Sequence, residues 1–522
     1  MSDSITIAPT GPTRWVWTER STRPSGLLER CNPAYIQKAV AHLDGVSVAS
    51  VFVNTTGQFM SMAGPVATGL PDYVDVRLQQ QNPGGHVADI IVWVPLDWNN
   101  RFAGVGGGGL STGPMWHWSE PVRLNSLPRA VRNGFAAATT DGGNKNQERP
   151  DLPLQEGGFD LDWELIHNLA HRSIHEMTVV GKTVTEAVQG SPPLYSYFQG
   201  TSGGGRQALM EAQRYPGDYD GVWASDAGIN WTKFIPGQLW PALVMKEYQN
   251  ALPPAKLEAF RATALAAGGG AVDFLDVYAT FEFDAIEVVG RETAAGVITK
   301  TDAQVMQKIW EGPRASDGRQ LWYGLLPGTE SWGDNLHRTG VCSTTEIAGQ
   351  VVPAPFGLAW QWFSSFLLRD RAWDWTTLTF ERYEELFDQG VHTPEFDEVA
   401  TDNPDLSGLR DAGGKLIISH AGSDEVIPVQ GAIDYYRRVV DTLGGESETR
   451  TFFRQFMAAG DVHSNVTGRW PGLTLARGMS ALMEWVENDN APDGIVGERI
   501  DQRTGEVTMV RPIRAYSSER TG

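Results

Sequence analysis

The chain has 522 residues, a formal net charge of −21 at pH 7, and 41% hydrophobic and 20% charged residues. This acidity argues against nucleic acid or an anionic membrane surface as a partner, because phosphate binding requires clustered lysine and arginine. We find no run of about 18 uninterrupted apolar residues, so we expect no membrane span. The composition predicts no particular oligomeric state.

Two further observations concern the compartment. Cys31 and Cys342 are too few for a disulfide framework, and the sequence leaves open whether they pair. The N-terminal stretch "MSDSITIAPTGPTRWVWTER" lacks the basic and apolar segments of a signal peptide. We therefore expect a cytoplasmic protein.

Strand-like and helix-like segments alternate between about residues 87 and 230. The predicted elements, in chain order, are strands over 87–96, 101–109 (its first half) and 134–141, a helix over 160–188, a strand over 194–199, a helix closed by Pro216, and a strand over 221–227. This alternation predicts an α/β protein with a mainly parallel sheet and crossover helices.

The pattern changes from about 232 to 400, where helical and aromatic segments occur without alternating strands. The first pattern then returns, with strands predicted near 415 and 449 and helices over 433–444 and 475–488. We therefore predict a discontinuous catalytic core over 1–232 and 402–522, with an inserted domain over 233–401.

Two G-x-S-x-G strings are candidate nucleophile sites, around Ser202 in "GTSGG" and Ser111 in "GLSTG". A serine nucleophile of the α/β-hydrolase type lies on a strained turn between a strand and a helix, where neighbouring small residues relieve crowding. Ser202 has this context and Ser111 does not, because Pro114 and a turn-rich run follow it. We predict that Ser202 is the nucleophile and Ser111 a loop serine.

The acid and the histidine should follow the nucleophile in that order along the chain. His463, in a loop after a late strand, is the preferred base, and His420 is expected to pack at a strand end. Asp424 could orient the imidazole. Glu425 and Asp461 remain rivals, and a loop-capping role for Asp424 stays open.

An oxyanion hole needs two N–H donors. The backbone of Gly203, directly after the nucleophile, is one candidate, and the glycine loop 106–109 should supply the second from Gly107 or Gly108. Glycine there lets the backbone approach a substrate closely.

Two other groups of residues need weighing. His167, His171 and His175 share a helix face, a spacing that can bind zinc, but a packed helix face is the better interpretation. Tryptophans at 116, 360 and 362 could line an aromatic substrate pocket or fill the core.

With these residues assigned, the chain resembles the tannase and feruloyl esterase family of α/β-hydrolases. The similarity runs through "DWNNRFAGVGGGG", "NGFAAATTDGG", the nucleophile region around "YFQGTSGGGRQALMEAQRYPGDYDGVWASDAGINWT", and "KLIISHAGSDEVIPVQGAIDYY". The resemblance places Asp424 and His463 at the positions of the family's acid and base. It also implies that 233–401 is a lid domain.

The chain departs from the family at its cysteines. The resemblance implies a disulfide between the residue before the nucleophile and the residue after the base, where this chain has Thr201 and Ser464. Val74 and Arg514 also stand where the family usually has cysteine. A hydrogen bond could replace the lost covalent link, and the losses are consistent with a reducing compartment.

The family's lid often holds calcium, but only Asp273 and Asp276 remain in the corresponding stretch, "AVDFLDVYATFEFD". Calcium takes six or more oxygen ligands. We therefore expect no structural calcium, no other metal and no cofactor.

These observations predict a serine hydrolase that cleaves a small carboxylic ester through an acyl-enzyme on Ser202, and the resemblance implies that the ester is one of an aromatic acid or a phenol. The alternatives are an acyltransferase with the same triad, a lactone or amide hydrolase, and a non-catalytic binding protein. The intact serine, aspartate and histidine set argues against the last of these.

Overall fold

We describe the chain from a computed structural model. The residues described are 23–61, 64–113, 127–145, 153–268, 283–332, 340–465, 470–501 and 506–518. The predictions for Trp116, Asp273 and Asp276 lie outside these residues. None of the helices among them combines the length and the apolar character needed to cross a bilayer.

A single large sheet organises the described residues. We number its nine strands in chain order: β1 Val46–Asn54, β2 Tyr73–Gln81, β3 Val87–Pro95, β4 Arg101–Val105, β5 Ala136–Thr140, β6 Tyr195–Thr201, β7 Gly221–Ser225, β8 Lys415–Ala421 and β9 Phe453–Ala458. Their spatial order is β1-β2-β3-β5-β4-β6-β7-β8-β9. The pairs from β5 to β9 are parallel, and the pairs from β1 to β5 are antiparallel. The prediction of an α/β-hydrolase fold with a mainly parallel sheet is confirmed.

Burial along the strands follows their position in the sheet. Every residue of β4, β5 and β7 is buried, as expected for strands that helices cover on both faces. Along the edge strand β1 only the two end residues, Val46 and Asn54, are buried. The fully buried strands β4, β5 and β7 are therefore all among those that the sequence predicted between 87 and 230.

Helices connect the strands and cover the sheet. The α-helices span Leu27–Arg30, Pro33–Val40, Leu127–Arg132, Trp163–His167, Ser173–Gln189, Gly203–Arg214, Trp231–Glu247, Pro254–Ala267, Lys300–Glu311, Gly357–Gln361, Phe380–His392, Asp397–Ala400, Ser407–Asp411, Val429–Thr442, Glu446–Thr449 and Leu475–Asn488. Two π-helical segments, Asn168–Arg172 and Trp362–Leu367, continue preceding α-helices. The single helix predicted over 160–188 is thus three consecutive segments.

Four small hairpins lie outside the large sheet among the described residues. They pair Gln58–Ser61 with Gly64–Thr68, Glu292–Thr293 with Gly296–Val297, Thr344–Ile347 with Gln350–Pro353, and Gly494–Ile500 with Val507–Arg514.

The segment between β7 and β8 adds no strand to the large sheet among its described residues. Its helices form an apolar cluster with Leu110, which follows β4, and with Val426 and Ile427, which follow β8. Those loops lie at the carboxyl edge of parallel strands, so the segment packs on that edge of the sheet. The boundaries 233 and 401 for a separate lid domain stay a prediction.

Candidate active site

Ser202 lies on a sharp turn between β6 and the helix Gly203–Arg214, which we call the nucleophile helix. Its backbone angles are φ 61° and ψ −122°, a conformation that a residue with a side chain rarely adopts. Neighbouring backbone holds the turn: the Ser202 N–H donates to the Ser225 carbonyl at 2.9 Å, and the Ser202 carbonyl accepts from Gly228 at 3.1 Å. The strained turn keeps the hydroxyl at the carboxyl end of β6.

The glycines around Ser202 are required by close backbone contacts. A Cβ at Gly200 would overlap the Gly204 carbonyl. A Cβ at Gly203 would lie 2.5 Å from the Gly109 carbonyl oxygen and 2.6 Å from the Gly109 nitrogen. The G-x-S-x-G pattern therefore brings the nucleophile helix against the glycine loop that follows β4.

Three side chains from three strand ends meet at this turn. His463 Nε2 lies 3.0 Å from Ser202 Oγ, and His463 Nδ1 lies 2.8 Å from Asp424 Oδ2. Asp424 is itself fixed, because its Oδ1 accepts the backbone N–H groups of Val426 and Ile427 at 2.8 and 2.7 Å. The structure thus brings together the serine, the acid and the base predicted from the sequence.

The rival acids have other partners. Glu425 accepts the backbone N–H of His463 at 3.1 Å, and Asp461 accepts that of Val462 at 3.0 Å. His420 is buried beside Asp424, with its Nε2 3.0 Å from the Ile427 carbonyl oxygen. Among these carboxyl groups, Asp424 is the one that contacts the His463 ring.

The electrostatics of the site follow from buried carboxyl groups. Burial alone would lower the pKa of His463, but Asp424, Asp226 and Glu425 together raise it to about 9. The pKa of Asp424 is lowered, because His463 and His420 outweigh the opposing effect of burial. Burial and the neighbouring Asp424 raise the pKa of Glu425 to about 8.

The glycine loop differs from the prediction in the donors that it offers. The Gly107 N–H donates to Gln207 Oε1 at 2.9 Å, and the Gly108 N–H donates to the Ser111 carbonyl at 3.0 Å. Both N–H groups are already engaged in this arrangement, which does not favour Gly107 or Gly108 as the donor, and the identity of the oxyanion donor in the loop stays a prediction. In the part of the chain that the structure describes, the N–H groups of Gly109 and Gly203 meet no protein acceptor. They are adjacent across the contact between the loop and the nucleophile helix.

Comparison with known proteins identifies the family. A family model described as tannase and feruloyl esterase matches residues 79–520.

The chain belongs to the tannase and feruloyl esterase family.

One relative, named a probable feruloyl esterase, from Arthroderma benhamiae, is 35% identical over 457 residues, 85% of this chain and 81% of the relative. Among solved structures, the tannin acyl hydrolase from Aspergillus niger matches with a TM-score of 0.78 at 22% identity, over 95% of this chain and 93% of that chain. Feruloyl esterase B from Aspergillus oryzae matches with a TM-score of 0.71 at 21% identity, over 94% and 96%. The resemblance seen in the sequence is confirmed, and the chain is a carboxylic ester hydrolase.

The tryptophans predicted as substrate contacts differ in their placement. Trp362 is 1% exposed and packs against Phe366 and Phe396, so it belongs to the core of the inserted segment. Trp360 is half-buried on the helix Gly357–Gln361. On the same helix, the Leu358 side chain lies 3.8 Å from the position that a Cβ on Gly109 would occupy, and no sequence pattern singled out Leu358.

The three histidines on one helix face have protein partners in this family member. His171 Nδ1 lies 2.7 Å from the Tyr215 hydroxyl, and its Nε2 lies 2.9 Å from Arg214. His175 pairs with Asp218, and His167 lies 3.2 Å from Glu398. These contacts agree with the packed-face interpretation.

The family's cysteine positions show how this member differs. Cys31 and Cys342 are free thiols. Thr201 is buried at the end of β6, and the Ser464 N–H donates to Asp226 Oδ2 at 2.9 Å. A hydrogen bond in place of the family's disulfide stays a prediction.

Asp226 is a site residue that the sequence reasoning missed. It follows β7, is 3% exposed, and has a positive φ of 43°. Asp226, His420 and Asp424 each place one potential ligand atom within 4.8 Å of the others. The Asp226 and Asp424 oxygens already accept backbone N–H groups, so we interpret the trio as a hydrogen-bonded network. The sequence did offer a signal for Asp226, because an acidic residue directly after β7, the strand next to β6, must lie near Ser202.

Proposed function

We propose that this family member hydrolyses esters of aromatic acids or phenols through an acyl-enzyme on Ser202. The observation that carries the proposal is the continuous chain from Ser202 Oγ through the His463 ring to Asp424, with contacts of 3.0 and 2.8 Å. A serine hydroxyl needs such a base to become nucleophilic at neutral pH.

The proposed reaction has two halves. In the first, His463 Nε2 takes the Ser202 proton as Oγ attacks the ester carbonyl, and Asp424 stabilises the imidazolium that forms. His463 then gives this proton to the departing alkoxide, which leaves as the alcohol or phenol. In the second, His463 takes a proton from water as the water oxygen attacks the acyl-enzyme carbonyl, and His463 then returns this proton to Ser202 Oγ as the acyl–Oγ bond breaks and the free acid leaves.

We propose that the N–H groups of Gly109 and Gly203 stabilise the oxyanion of each tetrahedral intermediate. Both belong to the contact between the glycine loop and the nucleophile helix, where a Cβ on Gly203 would lie 2.6 Å from the Gly109 nitrogen. One such donor is typically worth about 10²–10³ in kcat.

We further propose that the inserted segment 233–401 acts as a lid that sets the acyl pocket. Leu358 supports this, because it presents an apolar side chain to Gly109 beside the nucleophile. An apolar wall favours an aromatic acyl group over a charged one. The relatives named feruloyl esterase and tannin acyl hydrolase support the same substrate class.

The test is hydrolysis of a panel of gallate, ferulate, phthalate-type, p-nitrophenyl and lactone substrates. Ser202→Ala should lower kcat by about 10³-fold or more and should abolish labelling by a fluorophosphonate. Ser480→Ala is the control, because its hydroxyl only caps a carbonyl within the helix Leu475–Asn488. Labelling that survives in Ser202→Ala would exclude the proposed nucleophile.

The same assay separates hydrolysis from acyl transfer. An added alcohol or amine acceptor should leave the acid as the main product if water is the natural acceptor. An ester or amide as the main product at low acceptor concentration would instead favour an acyltransferase.

A further inference from the structure

The loop that carries His463 is held by carboxyl groups in an unusual way. We call residues Asp461–Ser464 the base loop. Three successive backbone N–H groups in it each donate to a different carboxyl group: Val462 to Asp461 at 3.0 Å, His463 to Glu425 at 3.1 Å, and Ser464 to Asp226 at 2.9 Å. The last two acceptors come from elsewhere in the chain.

The two distant acceptors are built into the sheet. Asp226 follows β7, and its own N–H donates to the Ser419 carbonyl of β8 at 2.8 Å. Its second oxygen, Oδ1, accepts from Ala421 of β8 at 2.7 Å. Glu425 is 6% exposed in the turn after β8, and the same turn donates from Ser423 to the Asp461 carbonyl at 2.9 Å. The base loop is therefore tied to β7 and β8 as well as to its own strand, β9.

Burying two further carboxyl groups beside Asp424 is unfavourable unless hydrogen bonds compensate. A backbone N–H that donates to a buried carboxyl oxygen supplies such a hydrogen bond and offsets part of that cost. Ser464 has a left-handed φ of 62°, so the loop adopts a conformation that needs such support.

We propose that Glu425 and Asp226 are positioning residues that act through His463: they fix the base loop so that Nε2 stays within hydrogen-bond reach of Ser202 Oγ. The proposal rests on the proposed function, because it assumes that His463 is the base. Neither side chain contacts the ester in the proposed reaction.

Each of the two carboxyl groups also has an electrostatic effect that experiments can separate from positioning. The titratable groups facing His463 are Asp424 and Glu425 from the turn after β8, and Asp226 from the end of β7. His420 of β8 faces Asp424 and Asp226, and Asp461 of the base loop faces Asp226 and Glu425. Both Asp226 and Glu425 raise the pKa of His463. Removing either charge should therefore move the acid limb of the kcat/KM profile to lower pH.

The Glu425 pair separates charge from hydrogen bonding. In Glu425→Gln the amide oxygen can still accept from His463, so kcat at alkaline pH should stay within about threefold of wild type while the acid limb moves down by about one pH unit. In Glu425→Ala the acceptor is lost, and kcat should fall by about 10–100-fold with little change in KM. Equal kcat in the two variants would overturn the proposal. If Glu425→Ala fails to fold, a large kcat loss in Glu425→Gln overturns it instead.

Asp226→Asn provides an independent arm. Both Asp226 oxygens accept backbone N–H groups, whereas asparagine offers one acceptor oxygen and an NH₂ group that would face a donor. This substitution should therefore lower kcat by about tenfold or more, unlike Glu425→Gln. Wild-type kcat in a folded Asp226→Asn would contradict the proposal.

The matched control is Glu211→Gln, a buried glutamate on the nucleophile helix that lies against Lys182 and Asp218. It should change neither kcat nor the acid limb. His463→Ala distinguishes the two proposals: if it leaves kcat unchanged, the proposed function fails. If it abolishes activity while Glu425→Ala does not lower kcat, only the positioning role fails.

Discussion

A single methyl group on Gly203 should disable the proposed oxyanion site while leaving the fold intact. The Cβ of an alanine there would lie 2.5 Å from the Gly109 carbonyl oxygen, 2.6 Å from the Gly109 nitrogen and 2.9 Å from the Gly108 carbonyl carbon. All three atoms are backbone, so no side chain can rotate away. Ordinary contact begins near 3.4 Å, and the glycine loop must therefore move by about 0.9 Å.

A displacement of that size has different effects on stability and on catalysis. Overpacking one methyl group costs about 1–3 kcal/mol, which a protein of this size tolerates. Misplacing a catalytic donor by about 1 Å costs about 10²-fold in rate. We therefore expect Gly203→Ala to fold and to lose about 10²–10³-fold in kcat, the value of one oxyanion donor.

The measurement is kcat and KM on an aryl ester, together with the unfolding transition of the same preparation. Gly217→Ala is the matched control, because Gly217 is exposed, has no positive φ, and would place its Cβ in open space. A folded Gly203→Ala with kcat within threefold of wild type would refute the role assigned to the contact between Gly109 and Gly203.

Three further predictions follow from other parts of the molecule. The pKa of His463 is raised to about 9, so its ring is mostly protonated below that pH and cannot act as a base. The value of kcat/KM should therefore rise about tenfold per pH unit between pH 6 and 8. A kcat/KM that already reaches its plateau at pH 7 would contradict this. The Glu487 carboxylate accepts hydrogen bonds from Arg101 at 2.8 and 2.5 Å and from Tyr197 at 2.6 Å in a nearly buried contact. Glu487→Ala should therefore lower the free energy of unfolding by about 3–5 kcal/mol. A loss below about 1 kcal/mol in a denaturant titration would contradict this, because it is the value expected of a solvent-exposed ion pair. Cys31 and Cys342 are free thiols, so dithiothreitol should change neither activity nor melting temperature, and a drop in either would reveal a disulfide; the cytoplasmic location itself stays a prediction.

Much of the sheet was predictable because hydrophobic periodicity is a local property. The strands from β3 to β9 lie where the sequence placed them, within a few residues. The strands β1 and β2 were not predicted, although residues 46–54, "VSVASVFVN", carry the alternation typical of an edge strand. The two outer strands of the antiparallel half, β1 and β2, were therefore missed, whereas β3 and β5 of that half were predicted.

In the inserted segment, the sequence predicted helical and aromatic character but not the role of each side chain. Tryptophan is suited both to a core and to an aromatic pocket, so composition cannot distinguish Trp362 from a pocket residue. The structure makes the distinction through Phe366 and Phe396, which lie four and 34 residues further along the chain and cover the Trp362 ring. Such coverage depends on packing between helices that no local pattern encodes.

The three reacting side chains could be predicted from the sequence, whereas the backbone groups that support the reaction could not. Parallel strands end at one edge of a sheet, so a serine, an acid and a histidine after β6, β8 and β9 must approach each other once the parallel order is known. Which backbone N–H group of the glycine loop 106–109 remains free depends instead on individual hydrogen bonds. The Gly107 N–H donates to Gln207, and the Gly108 N–H donates to Ser111. A shift of one residue in that loop would offer a different donor to the substrate. Topology therefore determines where the chemistry occurs, and hydrogen bonds specific to this fold determine which backbone atoms take part in it.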